Sequence, residues 1–130
     1  MNRLATALLA VALVALTELV VDARPQDTYS DRYDHVDIGV ILQNKRLLDG
    51  YLRCFLGADD AQCDQMAKEV KAVLPEALPS NCARCTPGQT DAMRQVVRHL
   101  AKERPADWRQ IQAKHDPAGA YAKANPDLFQ

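Results

Sequence analysis

The residues with the most distinctive chemistry are four cysteines, Cys54, Cys63, Cys82 and Cys85, in the spacing C-x8-C-x18-C-x2-C. Thiols in such a set support zinc ligation, thiol–disulfide exchange or a framework of structural disulfides. Structural zinc prefers two close pairs, and here only Cys82 and Cys85 have two residues between them. Cys82-Ala83-Arg84-Cys85 has the outline of a redox motif, but such motifs accompany a βαβ unit that this sequence does not present. The spacing favours disulfides, while leaving three possible connectivities for four cysteines. No metal and no cofactor are expected.

Other reactive side chains are dispersed. His35, His99 and His115 fall in separate segments, none paired with a second histidine or a carboxylate at a ligand spacing. They read as solvated or helix-surface residues, with His115 also suited to the negative end of a helix. Ser30 and Ser80 lack a G-x-S-x-G setting. Asp59, Asp60 and Asp64 lack the ligand order of an EF-hand loop and read as a solvated turn and a helix cap. No catalytic residues are assigned, and the chain is not expected to be an enzyme.

Compartment decides what cysteines do. Met1 to Ala23 carries one positive charge, Arg3, then an apolar run from Leu4 to Leu16 broken only by Thr6, then Val21-Asp22-Ala23. This is the pattern of a secretory signal peptide cleaved between Ala23 and Arg24. The run is short for a bilayer span, and Glu18 interrupts its extension. Residues 1–23 are therefore expected to be a signal peptide and residues 24–130 one helical domain, secreted and extracellular, with no stable membrane insertion after cleavage. Cleavage removes Arg3, Glu18 and Asp22 from 16 basic and 17 acidic residues, so the remainder has no net formal charge with histidine neutral. Without a basic field to hold phosphates, nucleic acid is not an expected partner.

The elements that would position these residues are helical. Arg24 to Asp34 is polar, contains Pro25 and reads as an extended, mobile lead-in. Asp37 can cap a first helix through about Gln43 that buries Ile38 and Ile41. A second, about Lys45 to Leu56, sets Leu47, Leu48, Tyr51, Leu52, Phe55 and Leu56 on one wide apolar face. A third starts at the cap Asp64 and carries Met66, Val70, Val73 and Leu74, with Pro75 and Pro79 ending or bending it. Thr86, Pro87 and Gln89 form the start of a fourth, with a capping box. Its inner face is Met93, Val96, Val97, Leu100 and Ala101, while Arg94, Gln95, Arg98 and Lys102 face water. Pro105 opens a fifth with Trp108, Ile111 and His115 on one stripe, and Pro117 can open a short sixth containing Tyr121. No strand-like alternation with a hairpin turn is present. The fold class is all-α, with five to six short amphipathic helices crossing steeply around a shared interior.

Periodicity does not distinguish a filled core from one containing a tunnel, and composition alone favours the filled core. A resemblance alters that balance. The cysteine spacing, with Tyr33-Asp34, Lys45-Arg46-Leu47-Leu48, Leu74-Pro75, Arg98-His99-Leu100 and Lys114-His115-Asp116-Pro117, resembles the insect chemosensory protein family, also called OS-D-like. The similarity runs from about Tyr29 to Tyr121.

The resemblance implies a small secreted carrier with helices around a hydrophobic channel and no catalytic activity. It implies ligands such as long-chain alcohols, aldehydes, esters, fatty acids and related semiochemicals, and disulfides Cys54–Cys63 and Cys82–Cys85. Positions that line or gate the channel carry over onto Tyr33, Tyr51, Gln89 and Trp108. Ile41, Leu48, Leu52, Val70, Leu74, Val97, Leu100 and Ile111 would form its wall. The chain departs from the family pattern in its longer first cysteine loop, in His115 where tyrosine is usual, and in Gly39-Val40 where acidic residues are common. Tyr121 stands where another aromatic is frequent and is expected at one end of the cavity. Each methylene moved into an apolar channel contributes about 0.8 kcal/mol, so a long alkyl chain needs few polar contacts. The alternative is a secreted interaction factor in development, immunity or mating, with a protein partner or receptor and a merely structural apolar core.

Overall fold

A computed structural model describes residues 27–130. The signal-peptide expectation, and the first residues of the lead-in, lie outside them. Among the described residues there are six α-helices and a final 3-10 helix, with no strand. They are α1 Ile38–Gln43, α2 Lys45–Leu56, α3 Gln65–Ala77, α4 Pro87–Glu103, α5 Pro105–His115, α6 Ala120–Ala124 and η1 Pro126–Phe129. None is long and apolar enough to cross a membrane.

Helix starts follow side-chain chemistry. Asp37, Asn44 and Asp64 accept the amides of Val40, Leu47 and Ala67 respectively, each satisfying an orphan donor of a first turn. At α4 both halves of the capping box form: Thr86 Oγ1 accepts the Gln89 amide at 3.1 Å, and Gln89 Oε1 accepts the Thr86 amide at 3.0 Å. Pro75 does not stop α3 on the spot. It sits inside the final turn, where few hydrogen bonds remain to be lost, and the helix runs on to Ala77. The chain then reverses through two left-handed residues, Asn81 and Cys82, with the Cys82 amide returned to the Ala77 carbonyl at 2.8 Å.

Both disulfides join neighbours, Cys54 to Cys63 and Cys82 to Cys85. The first closes the loop between α2 and α3. Lys71 reinforces it from α3, donating to the Gly57 and Asp59 carbonyls at 3.0 and 2.7 Å while pairing with Asp60. The second lies in the turn between α3 and α4. Arg104, between α4 and α5, bonds Asp107 and Asp49 at 2.8 and 2.7 Å and so ties that corner to α2.

Packing gathers Leu48, Leu52, Leu74, Leu78, Val97, Leu100, Trp108, Ile111, Tyr121 and Leu128 into one core. α2 packs against α1, α3 and α5, while α4 packs against α1, α5 and η1.

Several expectations are corrected. Leu47, assigned to the inner face of α2, is exposed, because the core takes only the Leu48 and Leu52 side of that stripe. Ile38 and Ile41 are half-buried, not buried. Pro117 does not open the sixth helix: Asp116-Pro117-Ala118-Gly119 makes a β-turn, with the Gly119 amide on the Asp116 carbonyl at 2.9 Å and Gly119 at φ 68°. α6 begins after it, its amides at Ala120 and Tyr121 taken by the Asp116 carboxylate. His115 is buried instead of lying on the surface, and its Nε2–H donates to the Phe55 carbonyl at 2.8 Å. Arg94 does not simply face water. It pairs with Asp127 and donates to Asn125, whose amide group reaches Asn81 and the Tyr121 carbonyl.

Candidate functional site

Most chemistry-bearing side chains are consumed by structure: the thiols are oxidised and His115 is bonded to backbone. Among the described residues no group of three or more His, Cys, Asp or Glu is placed to hold a metal ion. What the helices leave between them is a cavity of about 650 Å³, within the roughly 300–1,000 Å³ typical of small-molecule sites. Its inner wall is apolar and buried: Leu48 and Leu52 from α2, Leu74 from α3, Val97 and Leu100 from α4, and Trp108 and Ile111 from α5. Ile41, Tyr51 and Val70 border it as half-buried residues.

Every position assigned above to a channel wall or gate, including Tyr33 and Gln89, borders this one space. Tyr121 does not. It is buried in the core behind the cavity, alongside η1, so it does not form a cavity end.

Within the lead-in, sequence reasoning assigned only Tyr33 to the site, through the resemblance, and missed its neighbours. Tyr29, Ser30, Tyr33, Asp34 and Val36 all border the cavity, and from Asp27 onward the segment is held down, contrary to the mobile reading. The Tyr29 amide donates to the Arg84 carbonyl at 2.9 Å, and its hydroxyl to Glu76 at 2.6 Å. Arg84 lies over the Tyr29 ring and bonds the Asp27 carbonyl. Gln89 Nε2 donates to the Ser30 carbonyl at 2.7 Å, and the Thr86 hydroxyl to Asp34 at 2.7 Å. Arg32 reaches Glu69 on α3. A polar segment with no periodicity gives no sequence signal for such pinning, because its partners lie 37 to 59 residues away in sequence. Phe55, Leu78, Met93 and Val96 also border the cavity, and of these Phe55, Met93 and Val96 were legible as inner-face residues.

Polar groups at the rim divide into committed and free. Both polar atoms of the Gln89 side chain are engaged, in the capping box and on Ser30, so its role is structural. Tyr29 is likewise engaged, and burial followed by its bond to Glu76 pushes its phenol up to about 12. Among the described residues the Tyr33 and Tyr51 hydroxyls make no hydrogen bond within the protein, and neither is buried without one. Burial, with a smaller contribution from Asp64, raises the Tyr51 phenol above its ordinary value, so it remains a neutral donor.

Residues 29–123 match the profile described as "Insect pheromone-binding family, A10/OS-D". The chain is 40% identical over 119 residues to Allergen Tha p 1 of Thaumetopoea pityocampa, covering 91% of this chain and 93% of that protein. It is 35% identical over 113 residues to Ejaculatory bulb-specific protein 3 of Drosophila melanogaster, covering 87% and 86% respectively. Its fold is similar to that of a chemosensory protein in complex with bromo-dodecanol, with a TM-score of 0.70, 36% identity and coverage of 77% of this chain and 98% of that one. An antennal chemosensory protein of the moth Mamestra brassicae gives a TM-score of 0.64 at 36% identity, covering 78% of this chain and 92% of that one. An all-helical chain with two local disulfides, a hollow apolar interior and these relatives belongs to the insect pheromone-binding A10/OS-D family, the chemosensory proteins.

Proposed function

We propose that this protein is a secreted carrier that takes long-chain alcohols, aldehydes, esters or fatty acids into its central cavity and solubilises them in extracellular fluid. The observation that carries the reading is the cavity itself, about 650 Å³ walled by buried aliphatic side chains. Support for its occupant comes from the similar chemosensory protein whose structure contains bromo-dodecanol. Burying a chain of about 16 carbons contributes roughly 13 kcal/mol, and the low end of association costs, about 4 kcal/mol, leaves micromolar affinity or better. The Tyr33 and Tyr51 hydroxyls orient the headgroup by hydrogen bonding. Export through the amino-terminal signal pattern places the protein where its two disulfides persist.

The test is displacement of a neutral fluorescent apolar dye by alcohols and esters of about 12 to 18 carbons, read alongside the emission of Trp108, the single tryptophan, which borders the cavity. One-to-one displacement with a change in Trp108 emission is expected. No displacement and unchanged emission across the series would overturn carriage.

A further inference from the structure

Among the described residues, the ionisable carboxyls that border the cavity are Asp34, Asp37 and Glu69, and no lysine, arginine or histidine borders it. Glu69 is offset by Arg32 at 3.1 Å, and Glu76, farther out, by Arg84 at 3.0 Å. Asp34 and Asp37 are different. Both are exposed at the rim, and among the described residues neither takes part in an ion pair.

The usual receptor for an anionic headgroup, in the absence of a cation, is the amino terminus of a helix. The 17-residue α4 starts at this rim, but its first turn is already occupied. The Thr86 hydroxyl accepts the Gln89 amide and donates to Asp34, and the Gln89 side chain takes the Thr86 amide. The Asp34 carboxylate lies against the same turn, so close that a Cβ on Gly88 would meet its Oδ2 at 3.3 Å. The protein's own carboxylate stands where a ligand carboxylate would dock. Asp37, also at the rim, caps α1 by accepting the Val40 amide.

We infer that the rim ranks ligands by headgroup charge, binding chains that end in a neutral polar group more tightly than carboxylates, with Asp34 and Asp37 as the selecting residues. The inference rests on the carrier reading and divides its ligand range, separating alcohols and esters from fatty acids. The free hydroxyls of Tyr33 and Tyr51 serve a neutral headgroup, whereas an ionised one meets uncompensated like charge.

The test is displacement of the neutral dye by 1-dodecanol and by dodecanoate at neutral pH, below micellar concentrations. The wild-type protein should bind dodecanoate at least about tenfold more weakly than dodecanol, the scale of a like-charge penalty. In the Asp34→Asn, Asp37→Asn double variant the ratio should shrink at least about threefold. Asparagine keeps an oxygen for the Thr86 hydroxyl and caps a helix as well as aspartate does, so the fold is retained. Equal binding of the two ligands by the wild type would overturn charge selection while leaving carriage standing. An unchanged ratio in the double variant would overturn it too, because discrimination would then reflect only the desolvation of a carboxylate. If neither ligand displaces the dye, carriage and selection fall together.

Discussion

Trp108 and Phe129 face each other with ring centroids 5.7 Å apart, linking a residue that borders the cavity to the carboxy-terminal η1. η1 also inserts Leu128 into the core and is latched to α4 by the Arg94–Asp127 pair. Phe129→Ala should cost about 0.5–1.5 kcal/mol of stability through the lost ring pair and shift Trp108 emission to the red as water reaches the indole. Leu128→Ala, at a residue 2% exposed, should cost about 2–5 kcal/mol. Denaturant titration followed by circular dichroism measures both. Equal, negligible losses would show that the tail is not part of the packed unit.

Asp116 is wholly buried, and its carboxylate is committed to backbone. Its two carboxylate oxygens accept the Ala120 and Tyr121 amides at 3.2 and 3.0 Å, which starts α6 just beyond a left-handed Gly119. Asp116→Ala should destabilise by about 1–3 kcal/mol for the buried Tyr121 amide alone. Asp116→Asn, which keeps one acceptor oxygen, should lose less. Thermal melts of the two variants that coincide would contradict this role.

What the sequence made legible follows from the range of each interaction. α2 and the α4 start, Thr86-Pro87 with Gln89, are written in local chemistry and appear where expected. Asp116-Pro117-Ala118-Gly119 also carried a local signal, but proline suits both a turn and a helix opening, and here the turn prevails. Leu128 stands in a segment too short for any periodicity, and Arg94 meets its partners 31 and 33 residues away. The disulfide pairing came from family resemblance, since spacing alone left it open. Hollow and filled interiors need the same apolar stripes, so the cavity became visible only once the helices were assembled.

The Tyr29–Glu76 bond should leave a signature in both acid and alkali. Burial first, then the hydrogen bond to Glu76, raises the Tyr29 phenol from 10.0 to about 12. Because the folded-state value is the higher one, this stabilisation is complete below pH 10 and is lost as pH rises through about 12. Glu76 is lowered from 4.5, chiefly by the Tyr29 hydroxyl, so its contribution is present above pH 4.5 and is lost as pH falls through the depressed value. The melting-temperature gap between wild type and Tyr29→Phe should be widest between these limits and narrow on either side. A gap that stays constant into strong alkali would refute the assignment.

Neither disulfide reaches α1 or α5, and this locality determines how the cavity can adapt. Replacing Cys54 and Cys63, or Cys82 and Cys85, by paired serines should cost about 2–3 kcal/mol, because each bond closes only a short loop. α1 has no buried residue and contributes Ile38 and Ile41 to the cavity wall, so it is the least anchored part of that wall. Alcohols of about 12 and 18 carbons, differing by about 5 kcal/mol in buried methylenes, should therefore change amide hydrogen exchange mainly in α1 and the lead-in. Protection in the loops closed by the disulfides should be the same with either ligand. If the loops respond to chain length while α1 does not, adaptation must occur through the clamped turns and the wall at α1 must be rigid.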